Sequence, residues 1–111
     1  MQDEVKKYLQ DILTAAEHIL EFTAEVKSLD AYSKNLIVKR AVERELEIIG
    51  EALNSAMNIS DELEITEARK IINTRNKIIH GYDKVEDAII WAIILKHLPI
   101  LKSEIEQLLK H

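Results

Sequence analysis

Apolar residues recur three and four positions apart along most of the chain, which is the spacing of one helix face. A first helix is predicted over residues 3–28. A second apolar pattern runs from Leu36 to Ala56, after the capping candidates Ser28 and Asp30. Its apolar positions cover about half of the helix circumference, at about 100° per residue. A face of that width predicts contact with more than one neighbouring helix.

The C-terminal half of the chain contains three further apolar segments. Ser60, followed by two acidic residues, predicts the start of a third helix that ends at Gly81. The run AIIWAIIL, residues 88–95, is apolar on every side, so we expect a central or interface helix; a buried strand is the alternative. Pro99 is expected to break or kink the chain, and residues 100–109 to form a last short amphipathic helix.

The composition favours a single helical domain over residues 1–111. A chain of this length suits one domain, and its small core would gain from a dimer interface. The sequence is 47% hydrophobic and 32% charged, as in ordinary globular proteins. It has only two glycines and one proline, which are too few turn residues for an all-β fold. We therefore expect an all-α antiparallel bundle of four to five helices.

Charge and residue usage exclude several classes of function. The absence of cysteine excludes disulfides and thiolate zinc sites and is consistent with the cytoplasm. The N-terminus has no signal-peptide core, and the longest apolar run is too short to span a bilayer, so no membrane partner is expected. The net charge of −5 argues against bulk affinity for nucleic acid, although a local basic site is compatible with it. His18 and Glu21 are too few ligands for a metal, and no cofactor is expected.

The stretch RNKIIHGY, residues 75–82, places an arginine in an apolar helix stripe. On a helical wheel Arg75 lies inside an apolar arc of about 140°, whereas Asn76 and His80 lie together on the opposite side. A guanidinium keeps its proton, so it needs an anion or must reach water. Two interpretations stay open: an ion pair with a carboxylate, for which Glu45 is best placed, or contact with a phosphate in a cleft.

The residues around the predicted helix end allow the same two interpretations. The helix dipole favours a histidine at position 80 for structural reasons, but a histidine beside an arginine can also move a proton in phosphodiester chemistry. Gly81 would stop the helix and leave the hydroxyl of Tyr82 facing the same cleft. Residues 69–84 hold five lysines and arginines against one aspartate. This basic segment is either a phosphate-facing patch or a solvated helix face.

Two separated motifs resemble the HepT-like branch of the HEPN superfamily. RNKIIHGYD resembles its Arg-x4-His-x-Tyr signature, and RELEIIGEALN, residues 44–54, is similar to its other well-marked segment. Their spacing, Trp91 and the pair Leu98-Pro99 also fit, so the resemblance covers nearly the whole chain. It implies an all-α homodimer and a metal-independent ribonuclease that acts on RNA as the toxin of a type II/VII-like toxin–antitoxin pair. The antitoxin would be a minimal nucleotidyltransferase.

The resemblance also implies roles for the motif residues. Arg75 would hold the scissile phosphate, and His80 would act as general acid or base, with one histidine from each protomer. Asn76 would orient the imidazole or the phosphate. Tyr82 would receive AMP from the antitoxin, which would silence the toxin. Because Arg75 and His80 are about 140° apart on a regular helix, either the helix distorts before Gly81 or the two residues act across a dimer.

Glu47 and Glu51 of the second motif lie one turn apart on one helix face and have two interpretations. Glu47 can form an ion pair with Arg44 within its helix, or one of the two glutamates can brace Arg75 or His80. Gly50 costs about 1 kcal/mol against alanine in mid-helix, so it predicts the close approach of another helix.

Two other functions compete with the ribonuclease. One is a non-catalytic dimer that binds a nucleotide or the nucleotidyltransferase, and the other is a purely structural helical dimer.

Overall fold

The computed structural model describes residues 1–80 and 86–110, and of Ile79 and His80 it describes the backbone alone. Every regular element in these ranges is helical and none is a strand, so the all-α prediction is confirmed. In chain order the elements are α1 (Asp3–Phe22), α2 (Leu29–Lys34), α3 (Leu36–Ile59), α4 (Ala68–His80), α5 (Asp87–Ala92), a π-helical turn (Ile93–His97) and α6 (Leu98–Leu109).

Helix α3 is central, because both α1 and α4 pack against it. This arrangement confirms the prediction, made from its wide apolar face, of more than one neighbour. Residue numbers rise along α1 as they fall along α3: Tyr8 lines a groove with Ser55, whereas His18 lies 3.0 Å from Glu45. The two helices are therefore antiparallel.

Helices α3 and α4 are antiparallel as well. Asn58, at the end of α3, and Ala68, at the start of α4, line one groove. Gly50, about two turns earlier in α3, lies against Arg75 of α4. The large side chains that the fold buries completely come from every helix, namely Leu9, Ile12, Ile19, Tyr32, Leu46, Ile49, Leu53, Ile71, Ile90, Ile93, Leu98 and Leu101.

The first two predicted helices have different boundaries in the structure. α1 ends at Phe22, and the short α2 separates it from α3. Ser28 caps this short helix, since its Oγ accepts a hydrogen bond from the Ala31 N–H. The cap of α3 is Asn35, whose Oδ1 accepts from the Val38 N–H at 3.1 Å. The prediction that Ser28 or Asp30 caps the long second helix is therefore wrong, because an extra turn of helix lies between.

The predicted start of the third helix at Ser60 is also wrong. Ser60 is the extended residue that ends α3, and α4 begins eight residues later, at Ala68. Just before that start, the N–H and the hydroxyl of Thr66 both donate to the carboxylate of Glu104 on α6, at 3.3 and 3.0 Å. This tertiary contact holds the segment between α3 and α4 in turns, so α4 begins only at Ala68.

The chain stays helical through Pro99. Ile93 and Leu98, at the two ends of the π-helical turn, both have right-handed helical backbone angles, and Pro99 lies in the first turn of α6. Proline lacks an N–H and crowds the carbonyl four residues before it, and the wider π turn accommodates both effects. The chain therefore does not break at Pro99, and the alternative of a kink there stays a prediction. The helical interpretation of residues 88–95 is confirmed, although Leu95 remains 57% exposed.

In the described part of the chain, each helix is too short or too polar to cross a lipid bilayer.

Candidate functional site

Arg75 of α4 lies across Gly50 of α3. A Cβ built on Gly50 would overlap the Cβ of Arg75 and would lie 2.7 Å from its Cγ and 3.3 Å from its Cδ. A side chain at position 50 would therefore force the two helices apart. The close approach predicted from Gly50 is confirmed, and the structure identifies the arginine stem as the group that fills the space.

The guanidinium of Arg75 has no carboxylate partner among the described residues. Its Nη1 donates to the Oδ1 of Asn76 at 2.9 Å, and its Nε is buried without a hydrogen-bond acceptor. The expected pairing with Glu45 is wrong, because Glu45 faces α1 and lies 3.0 Å from Nδ1 of His18. Leaving a buried donor without an acceptor costs about 1–3 kcal/mol. A cation held in this way is suited to an external anion.

The side-chain amide of Asn76 lies beside the guanidinium of Arg75. The wheel put Asn76 on the opposite side of the helix, with His80, yet its amide reaches the guanidinium and is half-buried. The amide oxygen therefore limits the orientations that the guanidinium can adopt. The signal for this contact was the adjacency of the two residues, because a long arginine side chain can bend back to its neighbour.

The backbone of α4 is helical through His80, so helix distortion before Gly81 is not observed up to that residue. Positions 75 and 80 are therefore about 140° apart around the helix axis. The predicted roles of the His80 side chain, of Gly81 as the helix stop and of Tyr82 lie outside the described residues.

Glu47 pairs with Arg44, as one of its two interpretations predicted. The distance from Arg44 Nη1 to Glu47 Oε2 is 3.4 Å, and the arginine side chain is 70% exposed. An exposed pair of this kind contributes less than about 1 kcal/mol. Glu47 also lies one turn before Gly50, on the same side of α3. Its role in bracing Arg75 or His80 stays a prediction.

Two contacts that the sequence did not reveal fix the start of α4. The Glu104 carboxylate of α6 binds Thr66, and His97 of the π-helical turn lies 2.7 Å from the carboxylate of Glu67. In each contact the two residues are about 30 or more positions apart in the sequence, so no local pattern could have indicated the contact. They attach the segment just before α4 to the C-terminal part of the chain.

An aromatic pair, a buried tyrosine and a half-buried tryptophan, joins α2 to α5. Tyr32 and Trp91 stack with ring centroids 5.5 Å apart, and the Tyr32 hydroxyl is buried without a hydrogen-bond partner in the described structure. Burial raises the pKa of Tyr32 above its usual range, and the carboxylates of Glu43 and Asp87 raise it further. Lys39 of α3 also lies 3.0 Å from Asp87. The start of α5 is thereby fixed to α2 and α3.

These features define an all-α domain with a half-buried arginine, without a described carboxylate partner, at the contact of two antiparallel helices. The family model "Ribonuclease HepT-like" matches residues 12–108. The chain belongs to this HepT-like family. No solved structure matches the chain.

Three curated relatives match this chain over nearly their whole length. "Probable ribonuclease HepT" of Thermococcus cleftensis is 37% identical over 112 residues, which cover 99% of this chain and 100% of that protein. "Putative RNase MJ1380" of Methanocaldococcus jannaschii is 32% identical over 104 residues, 93% of this chain and 94% of that protein. "Putative RNase TTE0752" of Caldanaerobacter subterraneus is 33% identical over 106 residues, 95% of this chain and 94% of that protein.

Proposed function

We propose that this protein is a metal-independent RNA endonuclease and the toxin of a toxin–antitoxin pair. The observation that carries the proposal is the guanidinium of Arg75, which binds Asn76 and has no carboxylate partner among the described residues. Membership of the HepT-like family, whose curated relatives are named as ribonucleases, supports RNA as the substrate.

The chemistry follows from the residue types of the motif. The ribose 2′-oxygen attacks the phosphorus, and the bond from phosphorus to the 5′-oxygen breaks, which leaves a 2′,3′-cyclic phosphate and a 5′-hydroxyl. One His80 takes the proton of the 2′-hydroxyl, and a second, protonated His80 gives a proton to the leaving oxygen. Arg75 donates two hydrogen bonds to the phosphate and stabilises the charge that builds on it.

A homodimer would supply the two histidines. Positions 75 and 80 point in directions about 140° apart on one regular helix, which favours a site built from two protomers. Exposed apolar side chains offer surface for the dimer: Ile37 is 83% exposed, Leu36 59% and Leu95 57%. Such side chains are typical of protein–protein contacts when they lie together.

Regulation would act through Tyr82. The motif resemblance supports transfer of AMP to its hydroxyl by a minimal nucleotidyltransferase antitoxin. An adenylyl group would add negative charge and bulk beside Arg75 and His80, so it would exclude RNA by repulsion and occlusion.

The experiment that tests this function is single-turnover cleavage of RNA in EDTA. We expect the unmodified wild type to cut RNA, to leave a cyclic phosphate, and to spare an oligonucleotide with a 2′-deoxyribose at the cleavage position. We expect His80→Ala to be inert yet still dimeric. If wild type and His80→Ala behave alike, the non-catalytic dimer that binds a nucleotide or the nucleotidyltransferase becomes the better explanation.

A further inference from the structure

The outward side of α4 carries a polar, cationic surface that the cleavage chemistry above does not use. We define this basic face by four exposed residues, Arg69, Lys70, Asn73 and Lys77. On a regular helix they span about 100° and point away from Ile71, which is buried in the core. The basic face is therefore the solvent side of the same helix that carries Arg75.

Helix α4 contains no carboxylate. Its 13 residues include two arginines and two lysines but no aspartate or glutamate. Each of the other α-helices in the described ranges contains at least one acidic residue. The whole chain has a net charge of −5, so α4 is a basic helix in an acidic protein. Such a local excess of positive charge attracts anions although the protein as a whole repels them.

The cations of the basic face form no ion pair with a described residue, in contrast to those of the neighbouring helix. On α3, Lys39, Arg40 and Arg44 lie 3.0, 2.7 and 3.4 Å from carboxylates. A charged face whose cations are neutralised inside the protein would have little attraction for a ligand. The basic face keeps its charge, because its helix supplies no carboxylate and none reaches it from the described neighbours.

The basic face is long enough to follow a nucleic-acid strand. From Arg69 to Lys77 the helix rises about 12 Å, at about 1.5 Å per residue. Arg69, Asn73, Asn76 and His80 are spaced four, three and four residues apart, so these positions form one line along the helix. This line leads from the start of α4 to the residues that we assign to catalysis.

We propose that the basic face binds the phosphodiester backbone of the RNA strand beside the cleavage position. The inference rests on the proposed ribonuclease function and extends it from the reacting phosphate to its neighbours. Arg69, Lys70 and Lys77 neutralise phosphates, and the Asn73 amide donates to a phosphate or sugar oxygen. Contacts of this kind fix the register of the strand and carry no sequence information.

The test compares two triple variants of the full chain. The face variant is Arg69→Gln/Lys70→Gln/Lys77→Gln. The matched control, Lys6→Gln/Lys27→Gln/Lys110→Gln, removes the same charge from exposed residues that also lack a carboxylate partner in the described structure. Binding of a short 2′-O-methyl oligoribonucleotide, which the enzyme cannot cut, is followed by fluorescence anisotropy at several salt concentrations. Thermal unfolding establishes that both variants are folded.

We expect the face variant to bind roughly a hundredfold more weakly than the control at about 0.1 M salt. The slope of log K against the logarithm of the salt concentration becomes shallower by about 2, because each of the three lost phosphate contacts contributes about 0.7 on a single strand. Equal binding by both variants, with a wild type that still cleaves RNA, overturns the inference and leaves the proposed function intact. A wild type that neither binds nor cleaves RNA overturns both.

Discussion

The side-chain stem of Arg75 on α4 occupies the space that a Cβ on Gly50 of α3 would fill. The two helices approach closely at this point only because one side is a glycine. The contact directs the guanidinium toward Asn76 and away from the carboxylates of α3. Helix packing and the candidate chemistry therefore depend on the same pair of residues.

Gly50→Ala is expected to destabilise the protein. Alanine normally improves a mid-helix position by about 1 kcal/mol, but here its Cβ overlaps Arg75, and overpacking of this kind costs about 1–3 kcal/mol. RNA cleavage should fall as well, because Arg75 is displaced. Urea unfolding and cleavage assays measure both effects. The control is Glu51→Ala, at the next, exposed position, with a change below about 0.5 kcal/mol. A stabilised Gly50→Ala protein would contradict the packing described.

Asn76→Asp is expected to silence the enzyme without unfolding it. The new carboxylate takes the place of the amide oxygen that accepts from Arg75 at 2.9 Å, so the guanidinium gains an internal counterion. The melting temperature should stay the same or rise, and the single-turnover rate of RNA cleavage should fall about a hundredfold or more, the range seen when a charge-stabilising donor is lost. Full activity in this variant would show that the charge of Arg75 is not needed.

Glu104→Ala is expected to loosen the start of α4. The substitution removes the acceptor of the Thr66 N–H and hydroxyl. Because both donors are exposed and water can replace the carboxylate, each lost hydrogen bond should lower the free energy of unfolding by about 1 kcal/mol. Glu106→Ala, on the same helix, removes only a surface pair with Lys102 and should cost less than about 1 kcal/mol. Chemical denaturation compares the two, and equal effects would mean that the Thr66 contact is not stabilising.

Tyr32→Phe is expected to change how stability depends on pH. Burial raises the pKa of the Tyr32 hydroxyl, so the folded protein keeps this proton above about pH 10, where the unfolded chain loses it. Stability therefore falls as pH rises above about 10, by up to about 1.4 kcal/mol per pH unit from this group.

The phenylalanine variant lacks that loss. At pH 8 it should equal or exceed the wild type in stability, because the removed hydroxyl has no hydrogen-bond partner in the described structure. Urea unfolding at pH 8 and above pH 10 measures the difference. Parallel stability curves for the two proteins over this range would rule out the buried, neutral hydroxyl.

Local periodicity predicted which segments are helical, but it could not predict contacts between distant residues. Helix α4 was predicted to begin at Ser60 but begins at Ala68, because Glu104, far along the chain, binds Thr66 in the connecting segment. Glu45 was the best-placed carboxylate for Arg75, but a helical wheel does not show which neighbouring helix a residue faces, and Glu45 faces α1.

The candidate site was predictable in part, for similar reasons. Arg75 was identified because a charge inside an apolar stripe is conspicuous, and Gly50 because a mid-helix glycine is costly. That the two residues touch required the pairing of α3 with α4, which no sequence pattern gives. A helical wheel shows the direction of each side chain but not its length, so it did not predict that the Arg75 side chain reaches Asn76.

The most direct test of the central claim is RNA cleavage by Arg75→Met in EDTA, beside an Arg40→Met control. Methionine keeps an apolar stem over Gly50 and removes the charge, whereas Arg40 is an exposed residue paired with Glu43. With both proteins folded and dimeric, we predict that Arg75→Met cuts RNA about a hundred to a thousandfold more slowly than the control. Equal rates would contradict a phosphate-binding role for Arg75.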